Sequence, residues 1–127
     1  MRRALILIVT LSVLSFGCGL WLDNLQRSTA EQYMKRLNTV RTAITEGRLD
    51  DARRDERMLH ALWQRDAKWL NCLISHHHTR DVHSALLHLE TALEMEWPER
   101  ALHAADEAFD ALGDISTADF ATWENIL

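Results

Sequence analysis

Residues 33–63, YMKRLNTVRTAITEGRLDDARRDERMLHALW, decide the fold. Tyr33, Leu37, Val40 and Ile44 fall at i, i+4, i+7 and i+11, the spacing of one face of an α-helix. Gly47 follows where a helix ends on a residue in the left-handed conformation, and Asp50 is placed to cap the next helix. Beyond the turn, Ala52, Leu59, Trp63, Leu70 and Ile74 share a side, and Leu62, Trp69 and Leu73 widen it. The stretch therefore predicts a helical hairpin whose two apolar faces meet.

The same pattern returns at an offset of 49 residues. Val82, Leu86, Leu89 and Leu93 match Tyr33, Leu37, Val40 and Ile44. Ala101, Ala108, Ala111 and Leu112 match Ala52, Leu59, Leu62 and Trp63. Between them, Pro98 suits the first turn of a helix and disfavours helical backbone at Trp97, so a third helix stops there and a fourth begins. The fourth helix carries Ala101, Ala105, Ala108 and Leu112, with Phe109 beside them, and Gly113 is expected to end it. Ser116 and Asp119 then resemble a cap for a short docking helix carrying Phe120, Trp123 and Leu127. Two hairpins of similar register make a four-helix bundle.

Composition agrees with an all-α chain. There are 127 residues, one proline (Pro98) and four glycines. Such scarcity of breakers favours helix over sheet. At the N-terminus, Arg2 and Arg3 precede nineteen uncharged residues, 4–22, with Asp23 ending the run. A helix of that length spans about 28 Å, close to a bilayer's hydrocarbon core. Trp21 stands where an interfacial aromatic belongs. The expected organisation is a transmembrane signal anchor at 1–22 and an extracytoplasmic bundle at 23–127, giving a single-pass protein of the cell membrane. A cleaved signal peptide shares the same features, with Ser15 and Gly17 as small residues, and Cys18 raises a lipoprotein. Ser15 departs from the aliphatic residue that a lipoprotein wants there, and the bulky Leu20, Trp21 and Leu22 favour an uncleaved anchor.

Charge divides the chain. Residues 23–80 hold 11 Lys/Arg against 8 Asp/Glu, whereas residues 81–127 hold Arg100 against 11 acids. The acidic second half argues against a nucleic-acid partner. Glu99, Asp106, Glu107 and Asp110 lie off the fourth helix's apolar stripe, and Asp81, Glu90 and Glu94 avoid that of the third. They predict a solvated acidic face, one use of which is to meet a basic protein surface. Arg53, Arg54 and Arg57, mixed with Asp50, Asp51, Asp55 and Glu56, read as a second solvated face laced with intrahelical pairs.

His76, His77, His78, His83 and His88 crowd the joint between the hairpins. His76, His77, Asp81 and His83 are the candidate metal ligands, since His77 and Asp81 are i, i+4 and share a helix face. Consecutive histidines point about 100° apart on a helix, however, and the spacing matches no closed zinc pattern. The plainer reading is a polar joint with Thr79 capping the third helix. Clustered histidines would repel when charged, predicting stability that rises with pH near 6. Ser75 with a neighbouring histidine and Asp81 has triad residue types, but no nucleophile elbow accompanies them. Trp63 and Trp69, at helical spacing among leucines, read as core rather than a stacking pair. No phosphate loop or dinucleotide fingerprint occurs, so no cofactor and no catalytic residue are expected.

The doubly basic start, the apolar helix ending near Trp21, residues 45–52 (TEGRLDDA), Leu62-Trp63 with residues 69–76 (WLNCLISH), and the ending 123–127 (WENIL) together form a pattern. It resembles a bacterial domain-of-unknown-function family, the one numbered four-three-six-three. The histidine-rich joint and alanine-rich fourth helix depart from that pattern. The resemblance implies a short, N-terminally anchored, all-helical protein and no activity. The functional expectation is a non-enzymatic interaction or accessory module outside the membrane, with a histidine-based metal or pH sensor as the alternative and a hydrolase as the weakest reading.

Overall fold

The computed structural model describes the backbone of residues 1–74 and 76–126 and the side chains of 1–72, 74 and 76–116. The described residues form four helices: α1 (Arg2–Thr45), α2 (Leu49–Leu73), α3 (His76–Glu94) and α4 (Pro98–Ile126). The fold is all-α, as expected. Each helix packs on its chain neighbours, and α4 closes on α1, so the four stand in a ring around one core. Leu37, Val40 and Ile44 of α1, Leu59, Trp63 and Leu70 of α2, and Leu86, Leu89 and Leu93 of α3 fill it. From α4 come Ala101, Ala104, Ala105, Ala108 and Ala111, then Leu112 and Ile115. Small alanines let the α4 backbone lie close to α1 and α3, while Trp63 fills space from α2.

The repeat extends into the turns. Gly47 has φ +80°, and Glu96, 49 positions later, has φ +54°. Arg48 N–H donates to Ala43 O (2.8 Å) and Gly47 N–H to Ile44 O (3.1 Å). In the second hairpin Trp97 N–H donates to Ala92 O (3.0 Å) and Glu96 N–H to Leu93 O (3.2 Å). Both turns are thus Schellman motifs at one register. Glycine adopts the left-handed conformation at no steric cost, whereas Glu96 holds it against its own Cβ. Glu96→Gly is therefore expected to raise stability by about 0.5–1 kcal/mol. The long Arg53–Glu96 pair that it removes, at 3.6 Å and with Glu96 exposed, is worth little. Urea unfolding checks this, and a lower midpoint would mean that the turn is not under strain.

Several boundaries differ from expectation. The apolar run and the first bundle helix are one uninterrupted helix of 44 residues, about 66 Å long at 1.5 Å per residue. Its buried residues begin at Gln26, whose side-chain amide donates to Ile115 O at 3.1 Å. Nor does Gly113 end the fourth helix: α4 continues through it, with no separate docking helix. Burial of Leu112 and Ile115 on either side outweighs the roughly 1 kcal/mol cost of an interior glycine. Ser116, expected as a cap, instead donates to Gly113 O at 2.8 Å, one turn back. Phe120, Trp123 and Leu127 lie outside the described side chains. The N-cap of α2 is Arg48 rather than Asp50, which sits in the first turn with Asp51, where acids favour the helix dipole. Thr79 is buried inside α3 and hydrogen-bonds Asn71 Oδ1 across the joint (2.5 Å) rather than capping the helix.

Candidate functional site

Along α2, Ala52, Glu56, Leu59 and Trp63 follow one another at i, i+4, i+7 and i+11. That register carries a carboxylate into the core: Glu56 is 1% exposed. The expectation of a solvated Glu56 is overturned, although Arg54 and Arg57 beside it do face solvent. One turn on, His60 is also buried. Glu90 of α3, expected to point away from the core, instead leans into the α2–α3 interface, with its side chain 36% exposed.

These three side chains converge. His60 Nδ1 lies 3.5 Å from Glu56 Oε1 and 3.3 Å from Glu90 Oε2. One donor atom from each residue lies within 4.8 Å of the other two, the sole such group of three or more His, Cys, Asp or Glu among the described residues. Glu56 Oε1 and His60 Nε2 are buried without a hydrogen-bond partner. Burial pushes the Glu56 carboxyl up to about 7; Glu90 and Glu94 add to the shift and Arg57 opposes it. The His83 ring packs nearly edge-on against that of His60, with centroids 5.6 Å apart.

Next to this trio runs an open groove of about 520 Å³ between α2 and α3, lined in part by Trp63, Lys68, Asn71, His76, Arg80 and His83. Two of the expected ligands, His76 and His83, therefore face one groove. The other two, His77 and Asp81, pair at 3.5 Å on the exposed surface. His88 turns toward Glu107 of α4, at 3.5 Å. The joint is thus rich in histidine without gathering it at a point, and the converging trio includes a histidine, His60, outside the cluster. Ser75 lies outside the described residues.

A second polar knot braces the other side of α2. The Tyr33 hydroxyl donates to Asp66 Oδ2 at 2.5 Å, and Trp69 Nε1 donates to Asp66 Oδ1 at 3.3 Å. Burial raises the Tyr33 phenol, with Asp66 adding to it. For Asp66, burial acts upward, but the hydrogen bonds from Tyr33, Arg65 and Trp69 outweigh it and hold the carboxyl below its ordinary range. Trp69 is partly buried against the core and Trp63 fully so, as their spacing predicted.

A family model described as a domain of unknown function, DUF4363, matches residues 20–126, which takes in the whole bundle and only the end of the apolar run. No curated protein and no solved structure matches the chain.

Proposed function

The chain belongs to the DUF4363 family, and from that premise we propose a single-pass, membrane-anchored helical module that works by protein contact rather than catalysis, with its bundle outside the cytoplasm. The observation that carries this reading is the exposure of the first half of α1. Residues 1–21 are exposed on every face, among them Leu5, Ile8, Leu14, Phe16 and Trp21. The described bundle covers none of this apolar surface, and a bilayer would cover all of it. Because the same helix continues into the core, the bundle would be held upright on its anchor rather than tethered by a linker. Arg2 and Arg3 favour an N-terminus retained inside.

For a partner, the face of α4 is the support. Glu99, Asp106, Glu107 and Asp110 are all exposed. Asp106 meets Arg41 at 3.3 Å and Glu107 meets His103 at 3.0 Å, so part of the charge is answered internally. The remainder would steer a basic surface. A metal-sensing role is the second reading, favoured by the buried Glu56, His60 and Glu90 trio.

Fusions at Leu127 test the topology. Alkaline phosphatase is expected to be active, green fluorescent protein dark, and both to stay in the membrane fraction. The reverse pattern, or a bundle released from the membrane, would refute the anchor. In the same membranes, a captured basic partner should be lost at high salt, as screening shortens to a few Å. Capture indifferent to salt and to amide substitution of the four acids would refute the charged face.

A further inference from the structure

The two hairpins share one short covalent joint, between α2 and α3. Toward the end of the same interface remote from that joint, Glu56 and His60 of the first hairpin face Glu90 of the second. We propose that these three residues bind one divalent transition-metal cation of the zinc class, which ties the hairpins together.

Geometry is the first support. Good N–H···O hydrogen bonds run about 2.7–3.2 Å, and the separations of 3.3 and 3.5 Å about His60 Nδ1 exceed that. They match the edge of a coordination tetrahedron: with metal–ligand bonds of about 2.1 Å, neighbouring donors lie about 3.4 Å apart. Such spacing suits an ion between the donors better than a proton.

The second support is independent of spacing. Glu56 is almost wholly buried, yet its Oε1 accepts no hydrogen bond while facing the imidazole. Buried polar atoms are nearly always satisfied, and an orphan carboxylate oxygen is costly. A cation between Glu56, His60 and Glu90 satisfies it. The donor set also selects the ion: calcium and magnesium prefer all-oxygen shells, whereas one imidazole with two carboxylates suits zinc and its first-row neighbours. Three protein ligands leave a fourth position for water or an incoming group. The partly exposed Glu90 opens the site to solvent, which gives the ion an entry path.

The test uses the untagged full chain in detergent, stripped with chelator and then given zinc chloride alone. One zinc per chain should survive dialysis, and the melting temperature should rise. Cobalt in its place should give a visible absorption band. Glu56→Gln and His60→Ala should each weaken zinc binding at least about a hundredfold, a loss that even outer-shell partners can cause. Glu90→Gln, at the partly exposed position, should weaken it at least about tenfold without disturbing the core, so the test stands if the buried variants fail to fold. Replacing His77 and Asp81 together by Asn should leave binding unchanged. Three results would each overturn the proposal: no retained zinc, binding that survives Glu90→Gln undiminished, or binding abolished by the His77 and Asp81 replacements.

Discussion

Trp63→Ala is expected to lower the unfolding free energy of the bundle by about 3–5 kcal/mol. Trp63 is 1% exposed, and its ring meets that of Tyr33 edge-on, with centroids 5.3 Å apart and planes at 85°. Truncation removes the largest fully buried side chain among the described residues. The surroundings of a truncated core residue relax only in part, so a cavity remains. Tyr33 also loses the ring that holds its hydroxyl against Asp66. A domain of this size has about 5–15 kcal/mol to lose, so the variant should forfeit a large share of its stability. Trp97 supplies the control. It is 45% exposed at the tip of the second hairpin, where Arg100 stacks over it at 5.4 Å. Trp97→Ala should cost about 1 kcal/mol or less. Denaturant unfolding followed by far-ultraviolet circular dichroism measures both. Similar costs for the two variants would mean that Trp63 is not the centre of the core.

The hairpins were legible because each buried face repeats with helical period over about three turns or more, and the repeat holds to the hydrogen bonds of both hairpin turns. The left-handed Glu96 was not legible, since nothing in its type marks that conformation. It follows only from its register with Gly47. Gly113 misleads for the opposite reason, because packing of Leu112 and Ile115 carries the helix past a residue that alone would stop it. At the site, a local signal existed. Glu56 stands four residues after Ala52, three before Leu59 and seven before Trp63, on the apolar stripe. Its charged neighbours Arg53, Arg54, Asp55 and Arg57 concealed it among solvated charges. His60, four residues on, completes the local half. Glu90 could not be assigned from its own helix. Its role depends on which flank of α3 meets α2, a fact set by the closing of the ring. The histidine run is conspicuous in composition but spreads along α3, with His83 at the groove and His88 beside α4.

The chelated, metal-free protein should lose stability as pH rises from about 4.5 to about 7, the reverse of the slope expected from sequence for a gathered histidine cluster. Glu56 sets this sign. Its carboxyl ionises near 4.5 in the unfolded chain and is pushed up to about 7 in the fold by burial, reinforced by Glu90 and Glu94 and opposed by Arg57. Below both values the group is protonated in either state and contributes nothing to the slope. Between them the unfolded chain has released a proton that the folded chain retains, so each step in pH favours unfolding. Above about 7 the loss is complete and the curve levels. At 1.36 kcal/mol per unit, the full change is on the order of 3 kcal/mol. Asp66 shapes the acid side with the opposite sign. Its folded value is depressed below the ordinary 3.8, so its contribution is present above that value and is lost as pH falls further. Glu56 thus acts only as pH rises above about 4.5 and Asp66 only as it falls below 3.8, so their joint contribution is greatest between those two values. Unfolding midpoints between pH 3 and 8 in chelator give the curve, and Glu56→Gln should remove its falling limb while sparing the acid limb. A midpoint that climbs from pH 5 to 7 in the parent chain, or a falling limb that survives Glu56→Gln, would show that Glu56 is not the group that titrates.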